Sequence, residues 1–187
     1  AYGWGNNRGL VLMKSFDLIH WTRTNIRFDQ MSKEFAQIGC AWAPETVYDP
    51  ATGRMMIYFT MRFGNEQNRL YYVYVNQDFN RIESIPQILF EYPSGASAID
   101  GDITPIWNEE RQKMEYHLFY VAHESGSGIK QAVSDRIDGS YRFDPRWIDF
   151  EPVACEAPNV WKRIGEDKWV LMYDIFCLLY TSPSPRD

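Results

Sequence analysis

Two short stretches hold carboxylates among apolar neighbours. AIDGDITPIW, Ala98 to Trp107, sets Asp100 and Asp102 around Gly101, and CEAP puts Glu156 between Cys155 and Ala157. A carboxylate in such a place is either a ligand of backbone amides or a site residue. Burial penalises its charged form and raises its pKa, which keeps a proton on it near neutrality, as a general acid requires. The structural alternatives are an Asx-type turn for Asp100 with Gly101 and an amide-capping turn for Glu156. Asp102 lies two residues beyond Asp100, hence on the same face of a regular strand, where it would hydrogen-bond backbone or help rim a pocket.

Around these lie residues that could bind rather than react. Trp42, in WAPE, offers a flat wall to a sugar ring and equally suits a core. Arg62, in YFTMRFG, and His123, in FYVAHES, end comparable strands and could meet hydroxyls; their alternatives are a surface ion pair and a polar cap. Glu45 aligns with Asp102 and reads as a ligand of neighbouring backbone. Asn6 and Asn7, in GWGNNRG, shape a loop. The 3 His are too widely spaced to form a metal-ligand cluster, and no GxSxG elbow supports serine chemistry. No cofactor is called for.

The elements that position these residues repeat. WAPETVYDPATGRMMIYFT, IDGDITPIWNEERQKMEYHLFYVA and EAPNVWKRIGEDKWVLMYD each run from a Pro or Gly turn through an apolar stretch and a polar hairpin into an alternating aromatic strand. Pro44, Gly101 and Pro158 are spaced 57 and 57. A third strand follows in RLYYVYVN and GIKQAVSD, and its counterpart GLVLMKSFD stands alone near the start. The exits SFDLIHW, NQDFNRI and SDRIDGS begin at Ser15, Asn76 and Ser134, spaced 61 and 58. Helical periodicity is absent from any window long enough to matter. Strand-rich repeats of this length predict an all-β chain: a β-propeller fragment holding the end of one blade, two whole blades and the opening of a fourth.

Composition excludes some partners. The net charge is -6 with no basic stripe, which argues against nucleic acid, and no apolar run is long enough to cross a membrane as a helix. Aromatics at 16% fit a β-rich core and a carbohydrate site equally, and so do not choose between them. Ala1 enters directly into a loop, so a missing start is expected. The tail CLLYTSPSPRD, Cys177 to Asp187, reads as one frame of a transposase sequencing adapter. It is expected to be a scar, leaving residues 1–176 as one partial domain. Pairing of Cys40 with Cys155 stays open; small buried thiols are the simpler reading.

The runs FDLIHW, WAPE, IDG and EAP, in this order and spacing, resemble glycoside hydrolase family 43 over nearly all of residues 1–176. Two departures stand out: Gly101 replaces a usual Pro, and Ala157 a usual Gly. The resemblance implies a five-bladed propeller and an inverting glycosidase acting on arabinose- or xylose-containing glycans, or on galactofuranosides. It implies an Asp base in the first blade, Asp100 as the residue that tunes and orients the acid, and Glu156 as the general acid. Inversion needs acid and base carboxyls roughly 6.5–9.5 Å apart, which residues from different blades can supply at a common axis. Carrying the Asp100-to-Ser134 offset back from Ser15 puts the base roughly 19 residues before Ala1. The fragment alone is therefore expected to lack its base and to be inactive. The resemblance further implies a carbohydrate substrate and a secreted or periplasmic full-length protein, and it is compatible with a structural ion on the axis. Two alternatives remain. A retaining, fructan-acting propeller would carry Arg and Cys where Ile99 and Ala157 stand. A non-catalytic propeller would bind glycan or protein through the same scaffold.

Overall fold

The computed structural model describes residues 6–175; the tail read above as a scar lies outside them. The described residues form four antiparallel sheets in chain order. β1 (Gly9–Ser15) pairs with β2 (Trp21–Arg27). β3 (Ile38–Asp49), β4 (Arg54–Phe63), β5 (Arg69–Val75) and β6 (Gln87–Phe90) form a meander, and β7 (Ser97–Asn108), β8 (Lys113–His123) and β9 (Ser127–Ser134) form another. Two short strands, β10 (Arg142–Phe143) and β11 (Asp149–Glu151), both pair with β9. β12 (Cys155–Lys162) and β13 (Trp169–Ile175) make the last pair. The succession is consistent with propeller blades.

The central strands explain how the sheets stack. In β4 the residues Ile57, Phe59 and Met61 point into a cluster with Leu10, Leu12 and Phe28, while Met56 and Tyr58 point into a second one with Ile103 and Leu118. Alternation along a strand sends successive side chains to opposite faces. Here both faces are apolar, because each central sheet has a neighbour on each side. β8 repeats the arrangement: Tyr116, Leu118 and Tyr120 face the sheet before it, and Phe119 and Val121 face Cys155 of β12.

The exits are closed by side-chain capping. The Ser15 hydroxyl and the Asp17 carboxylate accept the N–H groups of Leu18, Ile19 and His20. Asn76 Oδ1 accepts those of Asn80 and Arg81, and the Ser134 hydroxyl that of Arg136.

The 57-residue period corresponds to a bulge in the first strand of each of the last three sheets, β3, β7 and β12. Pairing breaks between Trp42 and Glu45, between Ile99 and Asp102, and between Glu156 and Asn159. The first bulged residue has positive φ in all three: 45° at Ala43, 52° at Asp100 and 52° at Ala157. Two residues on the bulged strand oppose one on its partner, so the strand bends and the regular alternation of faces is interrupted. Across the bulge Asp100 and Asp102 still both reach towards β12, where each accepts a backbone N–H.

Gly101, the second bulged residue, is required by contact rather than by torsion. A Cβ there would stand 2.9 Å from Leu70 Cδ1 and 3.1 Å from Leu118 Cδ1, both side chains being fully buried. Gly101→Ala is accordingly expected to lower stability by about 1–2 kcal/mol through overpacking, read as a shift of the urea midpoint with unchanged slope. An unshifted midpoint would mean that the leucines yield.

Candidate active site

The bulges join one sheet to the next. Thr60, on β4 opposite Trp42, accepts the Asp100 N–H on its Oγ1 at 3.0 Å. One sheet further on, Asp100 Oδ2 accepts the Ala157 N–H at 3.1 Å. Three residues beyond each bulge a second bond repeats the pattern. The Ile103 N–H donates to Tyr58 Oη at 3.0 Å, and the Val160 N–H donates to Asp102 Oδ2 at 2.7 Å. Asp100 and Asp102 thus both brace β12, but in different surroundings.

Asp102 is buried, and its carboxylate also accepts the Thr104 hydroxyl at 3.3 Å. Burial raises its pKa, while the Val160 N–H and the Thr104 hydroxyl lower it. Replacing it by Ala would strand a partly buried N–H. Asp102→Ala is expected to cost about 1–3 kcal/mol, with Asp102→Asn recovering part of the loss. Thermal melts of both variants check this, and equal melting temperatures for Ala and wild type would remove the bracing role. Glu45, at the equivalent place in the preceding sheet, is open to solvent on one side, and the partial desolvation of its carboxyl, then the Asp102 charge, raise its pKa.

Asp100 is half-buried and lies close to three other titratable groups. Burial is the main cause of its raised pKa and Asp174 adds to it, while the Ala157 N–H and His123 pull it down. The Glu156 pKa is raised as well, first by burial, then by Asp100 and Asp174. Desolvation lowers the pKa of His123, at the end of β8, and the Asp100 charge opposes it. The structure therefore brings Asp100, Glu156 and His123 together. Among the described residues no group of three or more His, Cys, Asp or Glu side chains is disposed to hold a metal ion.

Asp174 was missed in the sequence. It lies on β13 directly across from Glu156. Register alone could have found it, since Thr60, Val121 and Asp174 pair with Trp42, Ile99 and Glu156, which are 57 residues apart.

Trp42 and Arg62 belong to the preceding sheet. The Arg62 guanidinium carbon is 5.3 Å from the centre of the Trp42 ring, and the buried Arg62 Nε has no hydrogen-bond partner. Arg62 pairs with Cys40 as His123 pairs with Ser97, so the two occupy comparable strand ends. Trp42 also lines a groove of about 830 Å³ against Asn7, Arg8, Arg23 and Asn25. Asn7 shapes its loop by bonding the Ala41 carbonyl through Nδ2 at 2.8 Å. Cys40 and Cys155 are buried and unpaired. Burial pushes the Cys40 thiol up to about 11, against the pull of the Arg62 charge.

The chain superposes on a thermostable family-43 glycoside hydrolase with a TM-score of 0.57 at 12% identity, over 90% of this chain and 62% of that one. It superposes on the endo-arabinase from Bacteroides thetaiotaomicron VPI-5482 with a TM-score of 0.56 at 12% identity, over 91% of this chain and 71% of that one. At such identities the likeness concerns the fold.

No curated protein gives a significant sequence match. The model of a glycosyl hydrolase 43-related family, described as a probable glycosyl hydrolase domain, matches residues 2–181. The chain belongs to that family.

Proposed function

We propose that the chain is part of a five-bladed propeller glycosidase that inverts configuration at arabinofuranosidic, xylosidic or galactofuranosidic bonds. Glu156 is the general acid and Asp100 the residue that tunes and holds it. The observation that carries the reading is the bond from the Ala157 N–H to Asp100 Oδ2. It fixes a carboxylate of one sheet against the residue that follows the carboxylate of the next. Asp100 is thereby held beside Glu156, and its charge favours the protonated form.

In this reading protonated Glu156 gives its proton to the leaving oxygen as the glycosidic bond breaks. A second carboxylate takes a proton from the water that attacks the opposite face of the sugar. That base is an Asp from the first strand of the first blade. Arg62 and His123, at comparable strand ends of adjacent sheets, supply donors for hydroxyls, and Trp42, beside Arg62, supplies a ring face. A secreted or periplasmic location suits a polymeric substrate.

The test uses the full-length protein that carries this chain. It is assayed on nitrophenyl arabinofuranoside, xyloside and galactofuranoside, with the anomer of the first-formed sugar read by proton NMR. Hydrolysis with inversion is expected. Retention would support the fructan-acting type of mechanism instead, and binding without hydrolysis would make the protein a glycan-binding propeller.

A further inference from the structure

Asp174 has no part in the acid–modulator assignment above, yet β13 sets it directly opposite Glu156. Directly opposed like charges in an antiparallel pair destabilise it. The position does not demand a carboxylate for folding, because Thr60 and Val121 occupy it in the two preceding sheets. Among the described residues the Asp174 carboxylate meets neither a cation nor a hydrogen-bond donor. Its side chain is exposed.

We infer that Asp174 is a second positioning residue for the acid, keeping the proton on Glu156 from across the strand pair while Asp100 braces Glu156 from the neighbouring sheet. The inference rests on the glycosidase reading above.

The charged groups around Glu156 divide the work. From β7 comes Asp100, whose carboxylate accepts the Ala157 N–H and lies near His123 of β8. From β13 comes Asp174, with no such partner. On β9, Lys130 is turned away, its Nζ bonded to Tyr92 Oη at 2.6 Å and to Glu124 at 3.3 Å. On β11, Asp149 and Glu151 accept the Tyr173 hydroxyl at 2.6 and 2.7 Å. Asp174 is thus the least compensated of the charges that raise Glu156. The structural alternative is an inter-sheet acceptor such as Thr60 provides to Asp100, and Thr at this position would satisfy it equally well.

The experiment compares Asp174→Asn and Asp174→Thr with wild type in the full-length protein. Two readouts are taken: the pH profile of kcat/KM, and the titration midpoint of the Glu156 carboxyl by carbon-13 NMR. Because the acid must be protonated, the alkaline limb reports Glu156. Removing an adjacent negative charge should move limb and midpoint down by about half to one pH unit. At pH values above the limb this reads as a roughly three- to ten-fold loss of kcat/KM, with the plateau below it retained. An unmoved midpoint in variants that still fold overturns the inference, and a lowered melting temperature with an unmoved midpoint does the same in favour of the structural role. A midpoint that falls in a protein that hydrolyses none of the glycosides upholds the Asp174–Glu156 coupling and overturns the glycosidase reading instead.

Discussion

Glu156→Gln in the full-length protein is expected to lower kcat/KM on an unactivated arabinofuranoside or xyloside by about 10²–10⁴-fold, the usual contribution of a positioned general acid. The amide keeps the size and most of the packing of the carboxyl but cannot give up a proton to the leaving oxygen. Glycosides with a good leaving group need that proton less, so the loss on nitrophenyl substrates should be clearly smaller. The contrast between substrates is the diagnostic, because misfolding would depress both alike. Folding itself should not suffer, since Gln matches the shape and neutrality of the protonated carboxyl that Asp100 and Asp174 favour at Glu156. Near-wild-type turnover of the unactivated glycoside would end the assignment of Glu156 as the acid.

How far the sequence led can be judged from particular residues. Pro44, Gly101 and Pro158 betray the period because the last three sheets each spend two residues on a bulge, and only small or pre-bent residues suit its second position. The long strands were legible from their apolar runs, since β4 and β8 are covered on both faces. The outer strands were not: β2 is WTRTNIR, mostly exposed and polar, and β10 and β11 contain only two and three residues.

The candidate site was legible in part. Asp100 and Glu156 are conspicuous as charges in apolar runs. The bulges were not legible, because they rest on a left-handed turn of the backbone at Ala43, Asp100 and Ala157. At Ala43 and Ala157 nothing about alanine signals such a turn; only at Asp100 does the residue type favour it. Asp174 escaped because MYDIF reads as an ordinary strand end. Its meaning appears only in the register that sets it across from Glu156.

For Asp100→Asn, stability and activity are expected to move in opposite directions. Asn tolerates positive φ nearly as readily as any residue with a side chain, and its Oδ1 can still accept the Ala157 N–H. The fold should therefore hold. The sign of the pH dependence follows from the raised pKa of Asp100. The native state binds this proton more tightly than the unfolded chain does, so as pH rises from the unfolded value of about 4 through the folded one, stability falls. Above that window the cost of keeping a half-buried charge is fully present. Asp100→Asn removes it, and the variant should melt at or above the wild-type temperature near pH 7, with a flatter dependence on pH. Asp100→Ala is the contrast, because it leaves the Ala157 N–H without its acceptor and should melt lower. Activity runs the other way: without the Asp100 charge Glu156 loses its proton at lower pH, and the alkaline limb of kcat/KM should move down. Each unit of displacement costs about ten-fold in rate above the limb. A limb that stays in place in a well-folded, active Asp100→Asn would remove Asp100 from the tuning role and leave it a purely structural ligand of β12.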